Sequence, residues 1–249
     1  MEHYDTLLYW VTERHSIYLK KEEGLPKPWT ADPILQNYRF CNPYRENDKV
    51  TVYIAEHWRT PNRHDPDLWF AMTVARLLNL PSSMDTVGYP VPFDKEEFLR
   101  KLKHKRSLGH KIFNAAYIVS TNGVAMDKLD YIAERVLTPL WRNREYIRPR
   151  PKDCLQDVFE RLTQFDGIGS FIAGQIIADI KYAPPLLLGA GDWSTFAVPG
   201  PGSLRGMRRL YGLAKDDKRY DKNWRFNLLA VKDRLNTDIP GGMSPLHAQ

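Results

Sequence analysis

The chain has 249 residues, 43% hydrophobic and 27% charged, with a formal net charge of +6; this excludes a disordered or fibrous protein and leaves room for one large domain or two small ones. Two cysteines far apart, Cys41 and Cys154, exclude a disulfide framework, and neither stands at a ligand spacing, so no protein-bound metal is expected. No apolar run reaches the length of a membrane span and the N-terminus lacks the plan of a signal peptide, which points to a reduced, cytoplasmic setting without membrane contact.

In chain order, residues 3–22 read as an amphipathic helix, with Leu7, Leu8, Val11, Ile17 and Tyr18 on one side. Leu25-Pro26-Lys27-Pro28-Trp29 ends it. Residues 49–59 carry Val50, Tyr53, Ile54 and Trp58 at helical spacing, although 50–54 alone also fits a strand. Asp65-Pro66 starts a helix over 66–79, Asp94 caps another to about residue 105, and 111–121 and 126–141 fit two more. Arg148-Pro149-Arg150-Pro151 is the best linker. It separates an N-terminal helical region, 1–147, from a second, 152–240, expected to form one compact unit with a shared cleft. Helices then fit 152–164, 170–182, 203–211 and 221–235, and the tail from Gly241 lacks a pattern. The fold class expected is mainly α.

Phe165-Asp166-Gly167-Ile168-Gly169-Ser170-Phe171-Ile172-Ala173 has a mechanical meaning. Two glycines bracket one apolar plug between two amphipathic stretches, and Ala173 is small where helices must cross. Backbone amides at Gly167, Gly169 and Ser170 then stand at a helix start, where they can hold a phosphate oxygen. The pattern resembles the helix-hairpin-helix motif; the alternative is a plain helix connection without a ligand.

Further along, Gly200-Pro201-Gly202-Ser203-Leu204-Arg205 brings a sharp turn, a hydroxyl fit to cap a helix and a guanidinium on its first turn. Gly200, Gly202, Ser203 and Arg205 are therefore candidates for a phosphate or pyrophosphate. No GxxxxGK[ST] loop occurs in the chain. A third constellation is Arg39-Phe40-x-Asn42-x-x-Arg45-x-x-Asp48. Arg39, Asn42 and Arg45 would share a face if helical, although Pro43 opposes a continuous helix. Asn suits a base edge, Arg a phosphate, and Asp48 could orient Arg45, unless the set is a structural clamp. Arg76, Lys105, Arg106 and Lys111 are basic residues on or near helices; the run from Lys101 to Arg106 suits a solvated face or the DNA backbone, and Lys111 joins Lys105 and Arg106 as a DNA-binding candidate. Tyr117 could stack on a base or be buried.

Taken together, these segments resemble the α-glutamyl/putrescinyl thymine pyrophosphorylases, the amino acid:DNA transferases of bacteriophages with hypermodified thymine. The resemblance spans about residues 30 to 240 and extends to the helical domain of the 5-hydroxymethyluracil DNA kinases. It implies a helix-hairpin-helix, DNA glycosylase-like helical fold in a monomer working in the host-cell cytoplasm. It implies DNA carrying a modified thymine as partner and an amine (glycine, glutamate or putrescine) as co-substrate. The amine would displace pyrophosphate from 5-(pyrophosphoryloxymethyl)uracil, with Mg2+ at most accompanying the pyrophosphate. In the helix-hairpin-helix glycosylases a catalytic aspartate follows the hairpin, and Asp192 stands in that register if a short insertion is allowed; its other reading is a helix cap. Arg39, Asn42, Arg45 and Asp48 would complete the catalytic set. Phe171 replaces the Schiff-base lysine of the bifunctional glycosylases, which removes lyase chemistry of that kind. The rival readings are a monofunctional glycosylase and a non-catalytic DNA-binding helical module.

Overall fold

The structure is a computed structural model that describes residues 1–114, 120–183, 187–219, 221–241, 243 and 246. Its helices are α1 (Tyr4–Glu22), α2 (Pro33–Asn37), α3 (Lys49–Ile54), α4 (Leu68–Leu78), α5 (Pro81–Val87), α6 (Lys95–Ser107), α7 (Lys128–Tyr131), α8 (Thr138–Arg142), α9 (Arg144–Ile147), α10 (Leu155–Thr163), α11 (Ser170–Ile180), α12 (Pro201–Leu210) and α13 (Trp224–Asp238). The described residues contain no strand, so the strand reading of 50–54 is corrected: this stretch lies within α3, and the chain runs on into a π-helical turn, Ala55–Arg59. A second π-helical turn, Ile132–Leu137, joins α7 to α8. Residues 111–114 are not helical, which corrects the start of the helix expected over 111–121. Residues 115–119, Tyr117 among them, lie outside the described residues. No helix is long and apolar enough to cross a membrane.

Contacts divide the chain into two units. One combines residues 1–49 with the chain from 197 onward; the other is 50–196. In the first unit α1, α12 and α13 share a core of Tyr4, Val11, Met207, Leu210, Trp224, Val231 and Leu235. Tyr4 spans two of these helices: its hydroxyl donates to Asp238 at 2.8 Å and the Arg234 guanidinium lies 3.6 Å from its ring centre. Burial first, then the Asp238 carboxylate, pushes the Tyr4 phenol up to about 12. Arg208, on α12, holds Asp221 in a bidentate pair.

In the second unit α4 is buried along its whole length, as expected of a helix that is apolar all round. Asn79 in the left-handed region ends it. α11 packs against α4 and α10. Arg76 is 1% exposed and makes a fork-on-fork pair with Asp179 of α11, both bonds 2.6 Å. The expected division at residues 148–151 falls inside this unit. Arg148 donates to both Asp67 oxygens at 2.7 and 2.6 Å, and Arg161 of α10 reaches the Arg148 carbonyl and Asp153. A segment tied at both ends cannot act as a hinge, whatever its proline content.

Candidate functional site

Residues 164–169 connect α10 to α11. α10 and α11 pack together, Ile168 is buried between their ends and Ala173 is fully buried. Gly167 sits at φ +80, and a Cβ there would lie 2.4 Å from Val136 Cγ2, in the second π-helical turn. Conformation and space therefore both demand glycine. Gly167→Ala should lose about 2–4 kcal/mol, from the left-handed backbone and from overpacking. Urea unfolding checks this; adding Val136→Ala should restore only the clash component, and an unchanged midpoint in Gly167→Ala would refute the assignment. Gly169 differs. It precedes α11 at φ −76 with no side chain capping the helix, and a Cβ there would meet nothing within 4 Å. The fold does not need this glycine. Ser170 opens α11 and is exposed, and Phe171 beside it is 50% exposed.

Asp192 stands after the hairpin, and the structure shows which helix it caps. Its two carboxylate oxygens accept from the Leu155 and Gln156 amides at 2.7 and 3.0 Å, so it serves α10, 37 residues back, and not the residues that follow it. A carboxylate suits a helix N-terminus because the first amides lack intrahelical acceptors and carry the positive end of the dipole. The half-buried carboxylate is held from several sides. Phe196 N donates to the Asp192 carbonyl at 2.8 Å, and the Phe196 ring meets Phe159 of α10 at 5.6 Å. Trp193 Nε1 donates to the Lys181 carbonyl at 2.9 Å. The Lys181 ammonium, on a residue only 1% exposed, returns a bond to the Trp193 carbonyl at 3.2 Å and lies 4.3 Å from the Trp193 ring centre. Burial raises the Cys154 thiol beside this cap; the hydrogen bond to Asp157 and the Asp192 charge add to the rise.

The other predicted residues fall differently. Helix α12 begins at Pro201 with Gly200 as its cap, which corrects the expectation that Ser203 caps it. The Ser203 hydroxyl turns back, accepting from Gly200 N at 3.0 Å and donating to the Gly200 carbonyl at 2.9 Å. Gly202 lies in the first turn and Arg205, exposed, in the second. Arg39, Asn42 and Arg45 do not share a helical face. Arg39 is exposed and outside any helix, Arg45 opens a single 3-10 turn, and Asn42 between them donates to the Asn47 carbonyl at 2.6 Å. Pro43 is the physical reason, since it disfavours helix at Asn42. Asp48 follows the turn, exposed. α1 holds this segment: Arg14 Nε donates to the Phe40 carbonyl at 3.2 Å and His15 meets Tyr44 edge-on at 4.9 Å. Among the described residues, the buried atoms His15 Nδ1 and Asn42 Oδ1 have no hydrogen-bond partner, and burial first, then Arg14, lowers the His15 imidazole.

The basic residues of α6 are engaged at home. Lys105 donates to the Ser82 carbonyl at 2.5 Å and Arg106 to Asp127 at 2.8 Å, while Lys111 is exposed. Sequence reasoning missed Lys181, and it missed Arg59 and Arg63 after α3 and Tyr182 after α11, three residues that line one recess. The i, i+4 spacing of the two arginines was the one available signal.

A helical chain with a glycine-bracketed turn, a buried lysine and a half-buried carboxylate belongs to the mainly α class. Its family is narrower. The model of the 5-hmdU DNA kinase helical domain matches residues 1–232, and the chain belongs to that family. It is 23% identical over 223 residues to the 5-hmdU DNA kinase of Bacillus phage SP10, a match covering 81% of this chain and 35% of the relative. The chain thus spans about a third of the length of that curated relative. No solved structure matches it.

Proposed function

We propose that this chain acts in thymine hypermodification of phage DNA, transferring an amino acid or polyamine onto 5-(pyrophosphoryloxymethyl)uracil. The amine nitrogen attacks the C5 methylene, the C–O bond to pyrophosphate breaks, and the proton released from nitrogen goes to Asp192. The observation that carries this reading is the Asp192 carboxylate: two helix amides fix its orientation, and a carboxylate has about four lone-pair sites, so about two remain for an incoming proton. Family membership supplies the DNA and its modified thymine as the substrate class. Gly200, Gly202 and Arg205 at the start of α12, and Arg39, Asn42, Arg45 and Asp48, belong to the other unit and stand as its own candidates for a phosphate and for a base edge. Mg2+ enters only as the counter-ion of pyrophosphate. Gly169 and Ser170 hold the DNA backbone, with Lys111 and, on releasing their own-chain partners, Lys105 and Arg106 adding charge.

Incubating the protein with DNA bearing the pyrophosphorylated base and a panel of amines should release pyrophosphate and give a new nucleoside by mass spectrometry. Unchanged nucleosides across the panel refute the transfer. A second reading has its own support: the matching family is a helical domain and the matched kinase is about three times as long as the shared segment. The chain would then hold modified DNA for chemistry done elsewhere, and DNA binding without product is its signature. Both readings expect Gly169→Ala to leave the unfolding midpoint unchanged while weakening DNA binding several-fold in an anisotropy titration. Equal binding would remove the hairpin from the DNA contact.

A further inference from the structure

Within the 50–196 unit, Arg59, Thr60, Arg63, Tyr182 and Ala183 line a recess of about 150 Å³. It lies where the π-helical turn Ala55–Arg59 ends, a local geometry that recurs at functional sites. The volume is smaller than the roughly 300–1,000 Å³ of a pocket that encloses a small organic molecule. It equals the liquid share of about five waters, at roughly 30 Å³ each, which suits a compact anion. The lining supplies what a phosphate needs. Two guanidiniums four residues apart come from one side, with the Thr60 hydroxyl between them in sequence. Arg59 is set in place: its guanidinium lies over the Tyr182 ring, 5.5 Å from the centre, and donates to the Asp179 carbonyl at 3.5 Å. That carbonyl belongs to the residue locked to Arg76, so the anchor is rigid. Arg63 is exposed and donates through Nε to His64; no carboxylate among the described residues pairs with it. The neighbouring Asp65 is turned to its own chain, accepting from Asp67 N at 2.8 Å and Tyr89 at 2.9 Å.

We propose that this recess is a phosphate-binding subsite, filled by a phosphate of the DNA backbone or by free pyrophosphate. Planar, always-charged guanidinium forks match phosphate oxygens. The inference deepens the DNA reading above and rests on it only for the source of the phosphate.

Duplex binding by the full chain, followed by anisotropy across salt concentrations, tests it with Arg63→Gln. Arg100→Gln serves as a charge-matched control, since Arg100 is exposed and pairs with Glu97. A backbone contact predicts that Arg63→Gln lowers affinity about tenfold on every sequence. The slope of log affinity against log salt should become shallower by about one, and the control should keep its slope. Pyrophosphate titrated by calorimetry is the second arm: heat lost in Arg63→Gln with an unchanged DNA slope assigns the subsite to the small anion. If Arg63→Gln and Arg63→Glu both keep wild-type slope and pyrophosphate affinity, or the wild type binds neither ligand, the subsite is wrong. The transfer assay reports separately. Product without any Arg63 effect on binding removes the subsite alone, and Arg63-dependent binding without product removes the transfer alone.

Discussion

Asp179→Ala should destabilise the protein by about 3–5 kcal/mol, because it leaves the Arg76 charge buried without its carboxylate. Arg76 and Asp179 are 1% and 0% exposed and meet through two bonds of 2.6 Å. Thr51 Oγ1 at 3.0 Å and Asn79 Oδ1 at 3.5 Å stay beside the guanidinium but bring no charge. Domains of this size are stable by about 5–15 kcal/mol in total, so the variant should unfold at much lower urea or collect in the insoluble fraction. A buried pair is not itself a large source of stability, since desolvation offsets most of the attraction. The double variant Arg76→Met, Asp179→Leu should therefore recover most of the loss, by replacing two charges with apolar volume where α4 meets α11. Chemical denaturation of the two variants decides the point. A double variant as unstable as the single would mean that packing, not an uncompensated charge, sets the effect.

This pair also shows where local sequence stops being informative. The period of apolar residues marks α1, α4, α10 and α11 because each buries one side or all sides, and burial leaves its spacing in the sequence. Asp94 and the glycines of the hairpin are equally readable, since each answers a local requirement of the backbone. Arg76 is not readable, because its partner lies 103 residues away and nothing near Arg76 distinguishes a buried guanidinium from a solvated one. The same holds for the linker. Arg148-Pro149-Arg150-Pro151 has the composition of a hinge, and Asp67, 81 residues off, makes it a clamp. α1 shares one core with α12 and α13, about 200 residues later in the chain, an arrangement no local pattern encodes. Short helices such as α2 and α5 escape for another reason: they are briefer than the window a periodicity needs. At the candidate site, the hairpin could be placed from its glycines alone. The service of Asp192 to α10 and the recess at Arg59 arise from tertiary contact.

Asp192→Asn should slow amine transfer at least about a hundredfold, the lower end of what a positioned general base contributes. The variant must be separated from its structural consequences, since the same carboxylate caps α10. Asparagine keeps one acceptor oxygen and turns an amide NH2 toward the other helix N–H, so one of the two capping bonds survives. Alanine removes both, and about 0.5–2 kcal/mol of stability is expected to go with them. The two variants thus differ in stability but share the absence of a proton acceptor. If Asp192 takes the proton, both should be equally slow in single turnover at a temperature where near-ultraviolet circular dichroism shows both folded, and both should hold modified DNA as the wild type does. If capping is the whole role, Asp192→Asn should turn over close to wild type while Asp192→Ala loses activity in step with its lower unfolding midpoint. That outcome would take the carboxylate out of the chemistry and leave it as the residue that sets the start of α10 beside the hairpin.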